Sequence, residues 1–355
     1  MTLAAAETAI LPPSTAWREV VAPDEQVVFE GFAREIVAFQ KQDAAKDGPL
    51  RGFHAKPHAG LIAEFQVRSD LPEHARQGVF SAPLTFPAVV RFSNGESRFH
   101  PDANHEPRGI AIKLIGVPGR KLLPGQEDAV TQDFLATSHS VTSTVLDVRQ
   151  FMKFARSARH PRWTIPITLP FRVGLCEAKR ILKTLNTTVR HSDVRSMATE
   201  QFSGTAPIKF GPYAVKFTVQ PAPGTAATRD RPLTEDFLRE ELADRLRKAD
   251  LVLDFLVQFY VHKKLTPIED TSVLWQPEDA PPLKVAQLRI PSCDLDDPRT
   301  SALSKAVNGL SFSPWHATED HRPLGNVMRA RRVAYEASSA LRHRSPEPTA
   351  LPLRD

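Results

Sequence analysis

The stretch LGNVMRARRVAYEASSALRHR, residues 324–344, is a helical pattern that places Arg331, Tyr335 and Arg342 at intervals of four and seven. On an α-helix those spacings put all three along one face. A tyrosine between two guanidinium groups suits a phenol that must ionise. In water its pKa is about 10, and positive neighbours are needed to make phenolate near neutrality. Arg331 is one such neighbour, and Arg342 would suit a carboxylate further along the face. Taken alone, the pattern is more often an ordinary amphipathic helix with solvated arginines.

The rest of the chain changes that reading. Residues 51–56 are Arg-Gly-Phe-His-Ala-Lys, residues 90–93 Val-Arg-Phe-Ser and residues 106–113 Glu-Pro-Arg-Gly-Ile-Ala-Ile-Lys. With the Arg331-x-x-x-Tyr335 helix, these resemble the haem catalase superfamily in the same order. Pro267 to Pro291 is similar to the family's segment leading into its last barrel strand, and Val307 to Pro314 to the stretch before its haem-ligand helix. The resemblance runs from about residue 45 to about residue 344. It is to the short catalase-like group, the catalase-related peroxidases and allene oxide synthase-like proteins, because typical catalases are considerably longer.

Bulk properties agree with a globular protein. At 355 residues and 41% hydrophobic content the chain can bury a large core in one domain or two. Thirty-one prolines against sixteen glycines point to ordered turns rather than flexible linkers. No run of eighteen apolar residues and no secretory signal occurs, so no membrane span is expected. Cys176 and Cys293 form neither a metal motif nor a disulfide framework, and a reducing cytoplasm is the default expectation. The net charge of +5 is carried by scattered residues without a nucleic-acid motif. Residues 1–20 read as a disordered leader and 21–355 as a single domain.

Asp24 to Lys46 has a helical apolar stripe, including Val28, Phe32 and Ile36. Strand alternation follows in Leu61 to Val67, in Ala88 to Ser93, through Ile110, Ile112 and Leu114, and through Val215, Phe217 and Val219. Thr234 is the expected N-cap of a helix to about Arg247, with strands at Leu251 to Val261 and Leu283 to Ile290 after it. Helices held to the middle and end of a strand-rich chain indicate α+β, and an antiparallel β-barrel would remove the exposed edges. The resemblance implies the same catalase-like barrel core with flanking helices, haem b beside it and the haem ligand on the C-terminal helix.

The resemblance also assigns roles. His54 is the base that takes the proton from one peroxide oxygen and returns it to the other, a task suited to imidazole. Ser93 stands where the family has a serine bonded to that imidazole. Alternation puts Arg91 and Ser93 on one strand face, and Arg51, Arg91 and Arg342 match contacts to the haem propionates. Tyr335, supported by Arg331, is the axial ligand, the residue type known for catalase iron. Tyr213 and Tyr260, in apparent strands, lack the helical signature.

One departure stands out. The family's distal asparagine has no counterpart, since no asparagine occurs between Asn104 and Asn186. Thr137 or Ser138 takes its place, or Gln132 reaches it. Two phenylalanines are replaced by Val141, Thr142 and Ser143, leaving Phe151 or Phe154 to wall the cavity. The expectation is a haem peroxidase acting on hydrogen peroxide or organic hydroperoxides, with an unidentified electron donor, weak dismutation and a homo-oligomeric state left open. A fatty-acid hydroperoxide-rearranging enzyme and a non-catalytic haem-binding peroxide sensor are the alternatives.

Overall fold

The computed structural model describes residues 11–47, 51–138, 145–158, 162–189, 194–228, 232–342 and 345–352. Among them nine strands form one antiparallel sheet: β1 (Pro57–Val67), β2 (Thr85–Asn94), β3 (Arg108–Ile115), β4 (Thr131–Ser138), β5 (Phe202–Ser203), β6 (Ile208–Phe210), β7 (Tyr213–Pro221), β8 (Leu251–Phe259) and β9 (Leu283–Ile290). The neighbour order is β5-β4-β3-β2-β1-β9-β8-β7-β6, and β5 pairs again with β7. Eight strands therefore close a barrel, and β6 extends it beside β7.

Period-two patterning decides which wall is dry. Leu61, Ala63 and Phe65 of β1, Ala88, Val90 and Phe92 of β2, and Ile110, Ile112 and Leu114 of β3 belong to one buried cluster. Aromatic rings fill its middle: Phe255 lies 5.0 Å from Phe134 and 5.1 Å from Phe217, centroid to centroid. Packing of that kind leaves the barrel interior no room for a cofactor. The opposite face carries Arg91, Ser93, Gly109, Ala111, Leu135 and Thr137, which line a cavity outside the wall.

The helices are α1 (Glu25–Asp47), α2 (Val148–Ala158), α3 (Ile165–Val173), α4 (Leu175–Val189), α5 (Phe237–Leu246), α6 (Pro298–Gly309) and α7 (Asn326–Leu341). α1 packs along α7 through Phe29, Phe32 and Ile36 against Ala330 and Ala334. Arg329 ties α7 to the start of α1 and to two loops, with Glu25 at 2.7 Å, Glu19 at 2.6 Å and Glu269 at 3.2 Å. Gly325 starts this helix at φ +86, where a side chain would also meet the Ile268 carbonyl at 2.6 Å.

Several local expectations differ from the structure. The helix expected from Thr234 begins at Phe237, after Asp236. The Thr234 hydroxyl turns instead to the Glu240 carboxylate at 2.8 Å. Strand β4 and helices α2, α3, α4 and α6 were not foreseen as elements. Within the stretch expected to be a leader, Ser14 N donates to the Tyr260 carbonyl (2.8 Å) and Trp17 Nε1 to the Pro212 carbonyl (2.9 Å). Residues 1–10 lie outside the described residues.

Buried histidines give the fold an acid sensitivity. Burial pushes His54 down to about 3 and His58 and His321 to about 4, from an ordinary 6.5. The unfolded chain therefore binds more protons than the native one across this interval. The histidine contribution to stability is complete above about pH 6.5 and is lost as pH falls toward 4 and 3. Glu106 and Glu200, raised by burial, pull the other way. Three histidines outweigh them, and urea unfolding at a series of pH values should show the midpoint falling as soon as pH drops below about 6.5. A midpoint constant down to about pH 4 would contradict it.

Candidate functional site

His54 is the non-glycine residue with a left-handed backbone among the described residues, at φ 57. Such a conformation persists only where its surroundings hold it. Here its N–H donates to the Gly95 carbonyl (3.0 Å) and its own carbonyl accepts from Arg91 Nη2 (2.8 Å). The result is an imidazole laid against β3. A Cβ on Gly109 would stand 2.4 Å from His54 Nδ1 and 3.0 Å from Ser93 Oγ, so only glycine fits there. His54 Nδ1 and Ser93 Oγ are 3.2 Å apart. Burial, then the charges of Arg91 and Arg331, keep the ring neutral, with its pKa at about 3.

The cavity measures about 350 Å³ and is lined by His54, Ser93, Arg51, Arg91, Arg331, Tyr335, Arg342 and Thr137 among others. Its volume lies in the range of small-molecule and cofactor sites. Each sequence-predicted site residue except Ser138 thus faces one space. On α7, Arg331 Nη2 donates to the Tyr335 hydroxyl at 2.7 Å, and its guanidinium carbon lies 4.9 Å from the ring centre. The apolar side is built by Phe32, Ile36, Phe53, Val148 and Phe151. Phe151 meets Phe32 and Phe53 edge-on at 5.6 and 6.0 Å. Phe154 points elsewhere, packing into the cluster of α3 and α4.

The arginines are under electrostatic stress. Arg51 is pushed well below its ordinary value by burial, then by Arg91 and Arg342, with Tyr335 acting the opposite way. Arg91 is pushed down to about 9 by burial and by Arg342. A guanidinium does not give up its proton in a protein, so the shifts express a demand for negative charge. Arg51 donates to the carbonyls of Asn308 (2.8 Å) and Leu310 (2.7 Å), while its buried Nε has no hydrogen-bond partner among the described residues. Arg91 Nε donates to Asn308 Oδ1 at 2.9 Å.

At the edge expected to replace the distal amide, β4 separates the candidates. Thr137 faces the cavity. Ser138 is fully buried, its hydroxyl accepting from Arg108 N at 2.9 Å. Gln132 accepts from Thr318 N at 3.2 Å, away from the cavity lining. Val141, Thr142 and Ser143 lie outside the described residues. The sequence reading missed the apolar contributors Phe32, Ile36, Phe53 and Val148, and also Gly109 and Asn308. Gly109 carries a readable signal, a lone glycine in an alternating strand. Asn308, which bridges Arg51 and Arg91, carries none.

No family model matches the sequence, and no curated protein does. Among solved structures, a bacterial catalase is similar over 96% of this chain and 64% of its own length, with a TM-score of 0.62 and 15% identity. A fungal catalase is similar over 95% of this chain and 66% of its own length, again with a TM-score of 0.62 and 15% identity. The fold is therefore that of the catalases. The chain spans somewhat under two thirds of either length, and at this identity the likeness establishes the fold alone.

Proposed function

We propose that the chain is a haem-dependent peroxidase that reduces hydrogen peroxide or organic hydroperoxides. The observation that carries this reading is the single cavity shared by a neutral His54–Ser93 pair and an Arg331-supported Tyr335. Haem b fits the donor set. Arg51, Arg91 and Arg342 would hold its carboxylates and answer the unmet Arg51 Nε. Tyr335 would bind its iron, the residue type that holds iron in catalases. When bound, haem supplies the redox-active iron that provides electrons for cleaving the peroxide O–O bond.

The chain's own residues do the rest. His54, held neutral by burial, accepts the proton of the near peroxide oxygen and returns it to the departing one. Ser93 fixes the ring that must make that exchange. Phe32, Phe53 and Phe151 keep water from one side of the cavity and offer contact to an apolar substituent. The test is reconstitution with haem, followed by absorption spectroscopy and product analysis with hydrogen peroxide and a fatty-acid hydroperoxide. Alcohol formation with consumption of a reducing donor supports the reading. Rearranged products without donor consumption would replace it by hydroperoxide isomerisation, and failure to retain haem would remove it.

Thr137 is the residue to substitute for dismutation. Thr137→Asn would supply a longer carboxamide at the cavity edge, where the hydroxyl is short. Oxygen evolution from hydrogen peroxide should rise about tenfold relative to peroxidase turnover, the worth of one well-aligned hydrogen bond. Ser138→Asn should give no such gain, because its side chain serves the Arg108 backbone. Wild-type oxygen evolution near the diffusional ceiling of ~10⁸ M⁻¹s⁻¹ in kcat/KM would show that the amide is dispensable.

A further inference from the structure

Trp163, Ile167, Phe171 and Leu175 recur every four residues through the short turn Arg162–Thr164, α3 and the first residue of α4. They are 73%, 57%, 89% and 78% exposed. The core between α3 and α4 is made without them, by Leu169, Ala178 and Ile181. Single exposed apolar residues need no explanation, but a run of this length marks an interaction surface.

The surroundings say what would cover it. Along α4 the four-residue spacing passes from Leu175 to Lys179 and Lys183, both exposed. Residues 148–189 carry nine lysines and arginines against one acidic residue, Glu177. Arg149, Arg156 and Arg180 are ion-paired with Asp24, Glu35 and Glu177, and the segment still keeps an excess of positive charge. An apolar stripe with a tryptophan and a cationic rim matches the boundary of an anionic bilayer, where rings enter the acyl region and cations meet phosphate. A second copy of the chain would set two cationic rims against each other. No helix among the described residues is long and apolar enough to cross a membrane, so contact through this face would be peripheral.

We propose that α3 and the start of α4 form a docking face for an anionic lipid bilayer. α3 packs against α2, which gives Val148 and Phe151 to the cavity, and the half-exposed Phe53 rests on Phe151. Docking therefore holds the cavity's apolar side one helix away from lipid. If the peroxidase reading is right, on which this clause alone rests, hydroperoxides of membrane lipids become the substrates nearest at hand.

The experiment is flotation of the full chain with phosphatidylcholine vesicles, alone or with about one third phosphatidylglycerol. Binding is expected only to the anionic vesicles and should weaken as salt rises from about 0.1 to 0.5 M. Trp163→Ser combined with Phe171→Ser should lower partitioning by at least about tenfold. Both positions are exposed, so the circular-dichroism melt should be unchanged. Brominated lipid should quench the wild-type tryptophan emission and leave that of Trp163→Phe much less affected. Lys179→Glu gives a second variant, with weaker binding to anionic vesicles expected. No binding to anionic vesicles, or equal binding by the double variant, overturns the proposal. So does a wild-type dimer without vesicle binding that becomes a monomer in the double variant, which would make the stripe an interface between copies. None of these readouts needs haem or peroxide, so the docking face and the peroxidase reading fail separately.

Discussion

Tyr335→Phe is expected to lower haem affinity by more than about 100-fold, beyond the 10–100-fold typical of losing an outer-shell partner. The substitution keeps the ring that packs on α7 and removes only the oxygen that would bind iron. Arg331→Leu offers the graded comparison. It takes away the 2.7 Å bond to the phenol oxygen but leaves the oxygen itself, so a loss of about 10–100-fold is expected. Titration of the apoprotein with hemin, followed in the Soret region, measures both. Equal affinity in wild type and Tyr335→Phe would show that another group binds the iron.

His54→Ala should slow peroxide O–O cleavage by about 10²–10⁴-fold in stopped-flow mixing, while haem content stays near normal. The backbone gives a second variant. His54 sits at φ 57, a conformation that costs an ordinary residue of the order of 1 kcal/mol and glycine almost nothing. His54→Gly should therefore lose the same rate as His54→Ala without its added strain, and melt no lower than it. Because the wild-type imidazole stays neutral down to about pH 3, its protonation should leave the cleavage rate flat across the range in which the fold survives. A sigmoidal fall centred near pH 6.5 would mean that the imidazole is not desolvated.

Much of this fold can be read from side-chain alternation. Val89, Arg91 and Ser93 face away from Ala88, Val90 and Phe92 whichever strand β2 pairs with, so a polar group on the outer wall was legible before the barrel was. The helical face of Arg331, Tyr335 and Arg342 was legible for the same reason, since period alone decides it. Closure was harder to see. β5 is two residues long, too short for any pattern, and its pairing with β4 and β7 exists only in three dimensions. The segment from α2 to α4 hid its helices because Pro166 and Pro170 punctuate α3. At Thr234 a plausible cap lost to local competition, its hydroxyl satisfied by Glu240 instead. Ser138 and Thr137 were equivalent by residue type, and only the register of β4 against β3 assigns one to the wall and the other to the cavity.

The cavity joins residues that the ribosome makes far apart. Arg51 meets carbonyls 257 and 259 residues later, and His54 shares its space with Tyr335. Buried Lys113 of β3 meets Asp133 at 2.7 Å and also waits for Glu347, 234 residues downstream and likewise at 2.7 Å. A nascent chain at the β3–β4 stage therefore holds Lys113 and Asp133 without Glu347, and one wall of the cavity without α7. The cavity between His54 and Tyr335 exists only once α7 has been made. A chain stalled before α7 would leave open to chaperones and proteases the barrel flank that shares a cavity with α7 in the folded structure.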